Sequence, residues 1–165
     1  MLLNNEMDDF ALRPGTPNAF GVMGYDANAV KPGKRMLSSM TPTFMIGRNQ
    51  VVVLGTPGGS RIITMVLLGM LGIEQGLSPQ QITALPRFHH QYLPDTIYLE
   101  PGALSPQTIQ ALNAMGHPTS QGKSTWGNMQ AVDWNLRSGE LRGGSDPRSS
   151  AGSASVVTKA AKQSQ

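Results

Sequence analysis

The chain has 165 residues, about one domain's worth, of which 39% are hydrophobic and 14% are charged. It contains no cysteine, which excludes disulfides, thiolate zinc sites and cysteine nucleophiles. The lysines and arginines behind the net charge of +3 are dispersed, so the sequence does not predict a nucleic-acid surface. No apolar run approaches the roughly 18 residues of a membrane span, and the first residues lack the pattern of a signal peptide.

Turn-forming residues dominate the first part of the chain. Residues 6–42 are interrupted by Pro14-Gly15, Pro32-Gly33 and further glycines and prolines, which prevents a long helix or strand. A loop of this length in a compact domain is usually functional. Next, the apolar runs 43–46 and 50–54 flank a polar turn and predict a β-hairpin. The second run is continuous, as in a strand that is buried on both faces.

A glycine turn follows the predicted hairpin. The segment Gly55-Thr56-Pro57-Gly58-Gly59-Ser60 leads into a helical pattern from Arg61 to about Gln75, with Ser60 as the predicted N-cap. Backbone N–H groups at such a turn are free to bind an anion or a developing oxyanion. The alternative is a tight turn that needs glycine only for its dihedral angles.

Two more helices are predicted from their capping residues. Ser78-Pro79-Gln80-Gln81 has the spacing of a capping box and begins a short helix that Pro86 ends. Ser105-Pro106 begins another, which ends at Gly116.

The remaining predicted elements are strands and a tail. Residues 96–100 and 129–134 predict strands, the second followed by a turn at residues 135–139. The order of elements lacks the steady alternation of a parallel doubly wound sheet. Residues 149–165 are rich in Ser and Ala and predict a disordered tail.

Several polar residues could bind a ligand. Glu6, Asp8 and Asp9 form an acidic cluster that could hold an ammonium group or a hard cation, or could simply begin a solvated loop. Ser38-Ser39 could donate two hydroxyls to a carboxylate, or serve the geometry of a turn. Adjacent histidines on a strand point to opposite sides, so His89-His90 favours a structural or hydrogen-bonding role, and no metal site is predicted.

A series of motifs then appears in a distinctive order. They are Leu2-Leu3-Asn4-Asn5-Glu6-Met7-Asp8-Asp9-Phe10, Pro14-Gly15-Thr16-Pro17-Asn18, Pro32-Gly33-Lys34-Arg35, Leu37-Ser38-Ser39-Met40, Pro57-Gly58-Gly59-Ser60-Arg61-Ile62-Ile63, Pro86-Arg87-Phe88-His89-His90-Gln91 and Ser145-Asp146-Pro147-Arg148. Together they closely resemble the C-terminal part of the small subunit of γ-glutamyltranspeptidases, also called glutathione hydrolases. The likeness defines one expected unit, residues 1–148, followed by the tail at 149–165.

The resemblance implies an α+β fold of the N-terminal nucleophile hydrolase type. Such enzymes are four-layer αββα sandwiches, in which two antiparallel sheets lie between helices, and this chain would form part of one. The proenzyme cuts itself to expose a threonine that acts as nucleophile and, through its own amine, as base. The threonine attacks glutathione or another γ-glutamyl compound, and the γ-glutamyl group then passes to water or to an amino-acid or peptide acceptor. No cofactor is implied.

The resemblance also assigns roles to individual residues. These are α-ammonium binding for Glu6 and Asp9, α-carboxylate binding for Ser38 and Ser39, oxyanion stabilisation for Gly58 and Gly59, and a lid at residues 14–25 with Phe20 as its gating aromatic. A zwitterionic substrate head requires acids for its ammonium and donors for its carboxylate, which fits these residue types.

The chain departs from the family pattern at its start. In the family the catalytic threonine lies a few dozen residues before the motif that begins here at Asn4. We therefore expect the nucleophile, the first strands of the small subunit and the large subunit, which supplies an arginine to the substrate carboxylate, to be absent from this chain. Alone it would be inactive.

Two alternatives stay open at this point. One is a non-catalytic remnant that binds an amino acid or a γ-glutamyl compound, and the other is a relative of the cephalosporin acylases. If the full-length product is bacterial, the family implies a periplasmic or extracellular location.

Overall fold

The computed structural model describes residues 6–150 and 152–157, except for the side chain of Glu6. The predicted hairpin is confirmed: β1 (Thr43–Ile46) and β2 (Gln50–Gly55) pair in antiparallel register, with Thr43 opposite Leu54. Residues 152–157 have no regular secondary structure, and most of the predicted tail lies outside the described residues.

The hairpin belongs to a four-stranded antiparallel sheet. β6 (Gln130–Asn135) pairs with β2, β7 (Leu141–Ser145) pairs with β6, and the strand order is β1-β2-β6-β7. The sequence did not predict β7, because its two glycines hide any alternation of apolar and polar residues. One of them is used for packing, since a Cβ on Gly144 would lie 2.3 Å from the carbonyl carbon of Pro79.

Helices α1 (Ile62–Glu74) and α2 (Pro79–Ala84) cover one face of this sheet. Close packing is possible because Gly69 of α1 lies against β2, where a Cβ would come within 2.7 Å of Leu54 Cδ1. The resulting core consists of buried apolar residues from both layers: Val52, Leu54, Ile62, Met65, Val66, Ile82, Met129 and Ala131. No helix among the described residues is long and apolar enough to cross a membrane.

The predicted start of α1 was wrong in one respect. A turn of 3-10 helix (Gly59–Arg61) precedes α1, and no side chain caps the helix. Ser60 lies inside that turn, and its hydroxyl instead donates to Gln91 Oε1 at 2.7 Å. The capping box at Ser78 is confirmed: its Oγ accepts from the N–H of Gln81, whose side chain accepts from the N–H of Ser78.

A second, smaller sheet packs beside the first. It contains β3 (Phe88–His89), β4 (Ile97–Leu99) and β5 (Thr119–Gln121), in the order β3-β4-β5. The antiparallel arrangement expected for the fold holds for every pair of strands except β4 and β5, which are parallel. Helix α3 (Pro106–Ala114), capped by Ser105 as predicted, lies in the connection between them, as a parallel pair requires a crossover.

The other face of the four-stranded sheet is apolar and open among the described residues. Val51 and Val53 of β2 are only half-buried, so the prediction that this strand is covered on both faces is not met within this part of the chain. Five large neighbours on that face are between 45% and 77% exposed: Phe44, Ile46, Val132, Trp134 and Leu141. We call these five residues the open sheet face.

A buried charge cluster connects the helical layer with both sheets. Arg87 is 1% exposed and is paired with Asp146, while Arg148 bonds both Asp146 and Glu100. Glu100 also accepts the backbone N–H of Arg87 at 3.0 Å and that of Trp126 at 2.8 Å. These four charged side chains therefore satisfy backbone groups as well as one another, which is the condition for burying charge without a large penalty.

The stability of this cluster should depend on pH. Burial alone would raise the pKa of Asp146. Hydrogen bonds from the N–H groups of Arg148 and Met129, and from the Arg87 guanidinium, outweigh burial and hold this pKa below its ordinary value of 3.8. A lowered pKa in the folded state stabilises the protein above the unfolded-state value and loses that contribution as pH falls through the folded-state value.

We therefore expect the contribution of Asp146 to the free energy of unfolding to be constant near neutral pH and to fall below about pH 4. Urea denaturation across the acidic range would measure this contribution in a longer protein that contains this segment, with and without Asp146→Asn. The difference in the free energy of unfolding between the two proteins should shrink in acid. A difference that stays constant down to the lowest pH would contradict the prediction.

Candidate functional site

A cleft of about 900 Å³ opens where the N-terminal loop meets the end of β2 and the start of α1. It is lined by six of the seven side chains and glycines predicted to bind substrate: Asp9, Phe20, Ser38, Ser39, Gly58 and Gly59. The side chain of Glu6, the seventh, lies outside the described residues. Residues that are distant in sequence are therefore brought to one site.

Asp9 and Ser39 form a hydrogen-bonded pair in the wall of the cleft. The Ser39 hydroxyl donates to Asp9 Oδ2 at 2.9 Å, which leaves Oδ1 with no partner among the described residues. The carboxylate is only half-buried and faces the cavity. An oxygen with this exposure can accept a charged N–H donor from a ligand.

Ser38 is oriented differently from Ser39. Its Oγ accepts the backbone N–H of Met40 at 3.3 Å. A hydroxyl that accepts in this way keeps its own proton for a second partner. Ser38 can therefore donate to a ligand carboxylate, while Ser39 shares its proton with Asp9.

Asn28, a residue that sequence reasoning missed, holds these two segments together. Its Nδ2 donates to the carbonyl oxygen of Asp9 at 2.7 Å, and its Oδ1 accepts the N–H of Leu37 at 3.2 Å. The backbone of Asn28 also accepts the N–H of Ala11 at 2.9 Å. One amide side chain therefore fixes the spacing between Asp9 and the serines, and no local sequence pattern marks this contact.

The glycine turn lines the same cleft. Gly58 and Gly59 have φ values of 151° and 58°, in the region that favours glycine. Neither N–H donates to an acceptor within the part of the chain that the structure describes. A Cβ on Gly58 would lie 2.5 Å from Met65 Cε. The dihedral angles therefore favour glycine at both positions, and two donors are left for a ligand.

Residues 14–25, the predicted lid, form a small loop over this turn. The N–H of Gly15 donates to Gly24 at 2.8 Å, and Asn18 Oδ1 accepts the N–H groups of Phe20 and Val22 at 2.9 and 3.0 Å. The Phe20 ring is packed on Gly59, where a Cβ would come within 2.3 Å of Phe20 Cδ1. The aromatic ring therefore rests directly on the glycine turn.

The adjacent histidines have separate surroundings, as their strand position predicts. His89 is 3% exposed and contacts Thr64 Oγ1 through Nδ1 at 2.9 Å and Gln91 Oε1 through Nε2 at 3.0 Å. His90 points outward and pairs with Asp95. Burial is the main cause that lowers the pKa of His89 below 6.5, so this imidazole is neutral at physiological pH.

The polar groups of the cleft can bind a ligand through hydrogen bonds and charge. Among the described residues no group of three or more His, Cys, Asp or Glu side chains could hold a metal ion. Asp8 also lines the cavity. The cleft thus combines carboxylate oxygens and hydroxyls with backbone donors, a set of groups suited to an amino-acid head group next to a reacting carbonyl.

Comparison with known proteins identifies the family. The family model for γ-glutamyltranspeptidase matches residues 1–156. The glutathione hydrolase proenzyme of Escherichia coli K12 is 48% identical over 151 residues, which cover 90% of this chain and 26% of the relative. The chain thus spans about a quarter of the length of this curated relative.

Solved structures agree with the sequence comparison. A γ-glutamyltranspeptidase mutant of Helicobacter pylori has a TM-score of 0.82 and 40% identity, covering 90% of this chain and 81% of that one. The enzyme of Pseudomonas nitroreducens, complexed with L-DON, has a TM-score of 0.80 and 44% identity, covering 95% and 82%. These likenesses establish the N-terminal nucleophile hydrolase fold, and with the family model they show that the chain belongs to the γ-glutamyltranspeptidase family.

Proposed function

We propose that this chain forms the substrate-binding and oxyanion-hole part of an enzyme that cleaves γ-glutamyl amides such as glutathione. One observation carries the proposal: a single cleft combines the Asp9–Ser39 pair and Ser38 with the free N–H groups of Gly58 and Gly59. The first group fits an α-amino acid head, and the second fits the carbonyl that reacts.

Recognition of the donor follows from the orientation of the polar groups. The α-ammonium of the γ-glutamyl group donates to Asp9 Oδ1, the oxygen that Ser39 leaves free. Ser38 donates its proton to the α-carboxylate. Because the ammonium and the carboxylate need opposite partners, the cleft favours a zwitterion over a simple acid or amine. The resemblance adds Glu6 as a second acid for the ammonium.

The acyl step needs a nucleophile that we place outside these 165 residues, on a threonine of the missing part of the small subunit. Its hydroxyl attacks the γ-carbonyl and gives its proton to its own α-amine. The carbonyl oxygen becomes an oxyanion that accepts from the N–H groups of Gly58 and Gly59. The C–N bond then breaks, the amine leaves with a proton, and a γ-glutamyl ester remains.

The ester has two fates. Attack by water returns the threonine hydroxyl and releases glutamate, whereas attack by the amine of an amino acid or peptide gives a new γ-glutamyl amide. Either attack regenerates the oxyanion at the same two glycines, so one turn serves both halves of the reaction.

Asp9→Asn should weaken use of the donor. An amide cannot supply the charged acceptor that an ammonium requires, and hydrogen bonds to charged groups contribute about 1.5 to 3 kcal/mol. We expect kcat/KM for γ-glutamyl-p-nitroanilide to fall roughly tenfold to a hundredfold, the half-buried position of Asp9 keeping the loss below that of a fully buried pair. Unchanged catalytic efficiency would remove Asp9 from the site.

A chimera tests the proposed function. The Escherichia coli proenzyme would receive residues 1–156 of this chain in place of its own matching segment, which is 48% identical. We refer to this protein as the chimeric proenzyme. We expect it to cleave itself and to release p-nitroaniline from γ-glutamyl-p-nitroanilide, and a version with the catalytic threonine changed to alanine should do neither.

The alternatives give other outcomes in the same experiment. A non-catalytic remnant would give a chimera that cleaves itself and binds glutamate without turnover. A relative of the cephalosporin acylases would release the side chain of a cephalosporin in preference to glutamate, although Asp9 and the two serines favour an amino-acid substrate. A chimera that neither folds nor cleaves itself would contradict the proposed role as well.

We also propose that the open sheet face is covered by partner segments, from the large subunit and from the missing part of the small subunit. A contiguous apolar patch of this kind is unusual on a monomer and marks a contact surface. The isolated 165-residue polypeptide should therefore aggregate or bind a hydrophobic dye, and should release no p-nitroaniline. A monodisperse, cooperatively melting chain with γ-glutamyl hydrolase activity would contradict this prediction.

A further inference from the structure

Gln91 ends the motif Pro86-Arg87-Phe88-His89-His90-Gln91, to which the catalytic scheme gives no role. Its side chain lies between two parts of the site, the 3-10 turn that follows the glycines and the tip of the lid. Each end of its amide group meets one of these parts.

The acceptor end of the amide is held by the half-buried Ser60 and the buried His89. Gln91 Oε1 lies 2.7 Å from the donating hydroxyl of Ser60 and 3.0 Å from His89 Nε2. When His89 donates from Nε2, its Nδ1 is the acceptor; Nδ1 lies 2.9 Å from Thr64 Oγ1, a hydroxyl that also lies 3.0 Å from the carbonyl oxygen of Arg61. The amide oxygen therefore faces the glycine turn, and the NH₂ group faces the lid.

The donor end reaches the tip of the lid. Gln91 Nε2 lies 3.5 Å from the carbonyl oxygen of Phe20, 3.4 Å from that of Gly21 and 3.1 Å from that of Leu93. Gly21 has a φ of 72°, and a Cβ on it would lie 3.2 Å from Gln91 Nε2. A glycine at the tip thus allows the amide to fit beneath the two lid carbonyls.

We propose that Gln91 is a positioning residue that holds the lid closed over the glycine turn. One side chain accepts from Ser60, next to Gly59, and donates to the carbonyl groups of Phe20 and Gly21, in the part of the lid whose Phe20 ring rests on Gly59. The docked lid forms a wall of the cleft, so its closure retains the γ-glutamyl donor; this last step rests on the proposed function.

Gln91→Glu keeps the acceptor function of the side chain and removes its donor function. A carboxylate still accepts from Ser60 and His89, but it turns a lone-pair oxygen toward the carbonyls of Phe20 and Gly21 and repels them. Gln110→Glu on the exposed side of α3 is the matched control, because it introduces the same charge away from the cleft. Ser60→Ala is the second variant: it removes the hydroxyl that orients the amide and adds no charge.

Hydrogen–deuterium exchange of residues 14–25 is measured in the chimeric proenzyme without substrate. We expect Gln91→Glu to speed exchange roughly threefold to tenfold, as loss of neutral hydrogen bonds implies. Ser60→Ala should act in the same direction, and Gln110→Glu should match the parent. Unchanged exchange in both Gln91→Glu and Ser60→Ala, with self-cleavage intact, would overturn the proposal.

Kinetics with γ-glutamyl-p-nitroanilide tests the consequence for the donor. Gln91→Glu should raise KM roughly threefold to tenfold and leave kcat within about twofold, the pattern of a lost binding contribution. Gln91→Ala, which also frees Ser60, should lower kcat too. Faster exchange with an unchanged KM would support lid docking by Gln91 and contradict donor retention, so the two claims fail separately.

Discussion

Gly59→Val is expected to lower the turnover of the chimeric proenzyme roughly a hundredfold to a thousandfold, the usual effect of losing one oxyanion donor. A valine Cβ would overlap Phe20, since the position it would take is 2.3 Å from Phe20 Cδ1. A positive φ of 58° would cost the new side chain a further 1 to 2 kcal/mol or so. The turn would relieve both strains by rotating its N–H groups away from the reacting carbonyl.

Gly116→Val is the matched control for this change. Gly116 has a similar backbone strain, with a φ of 88°, but a Cβ there would have no neighbour within 4 Å. The melting temperature should therefore drop in both variants, and at least as much in Gly59→Val, whereas only Gly59→Val should lose turnover. If Gly59→Val lost stability while the folded fraction kept normal turnover, the glycines would be needed only for the shape of the turn.

Asp146→Asn is expected to lower the free energy of unfolding by about 3 to 5 kcal/mol, the range for breaking a buried ion pair. The Asp146 carboxylate is fully buried and accepts from Arg87, Arg148 and the backbone N–H of Met129. An asparagine keeps the size but leaves Arg87, itself 1% exposed, with an uncompensated charge.

Asp95→Asn is the corresponding control at the surface. Asp95 pairs with His90, but its side chain is 76% exposed, and pairs of that kind contribute about 0 to 1 kcal/mol. Urea denaturation of the two variants, each made in the chimeric proenzyme, would measure the contrast. Equal losses of stability would show that burial does not decide the strength of these ion pairs.

The predictable part of the fold was the part with strong local signals. The hairpin of β1 and β2, the capped helices α2 and α3 and the strand β6 follow from apolar periodicity and from Ser-Pro caps. The short strands β3, β5 and β7 carry no such signal, because they form only when neighbouring strands supply hydrogen bonds and packing. Their existence is a tertiary effect, and Gly143 and Gly144 of β7 show it most clearly.

The candidate site likewise contains residues that the sequence reveals and residues that only the folded structure reveals. Acids, paired serines and a glycine turn have chemistry that can be read in the sequence, and the structure places Asp9, Ser38 and Gly59 on one cleft. Their roles in catalysis stay predictions. The residues that hold the parts in place, Asn28 and Gln91, could not be found in this way, because an amide becomes a connector only through the partners that folding brings to it.

The pairing of β2 with β6 governs the order in which this site can be assembled. It joins Gly55, immediately before the glycine turn, to Gln130 in the last part of the chain, and both residues line the cleft. Such contacts between sequence-distant segments form slowly, because a long loop must close before any pairing repays the cost. During synthesis the N-terminal acids, the serines and the glycine turn would all leave the ribosome before β6, the second strand that pairs with β2. The ligand-binding loops therefore cannot complete the site until β6 has paired with β2. A nascent chain halted before residue 130 would leave an edge of the β1–β2 hairpin free to pair with other chains.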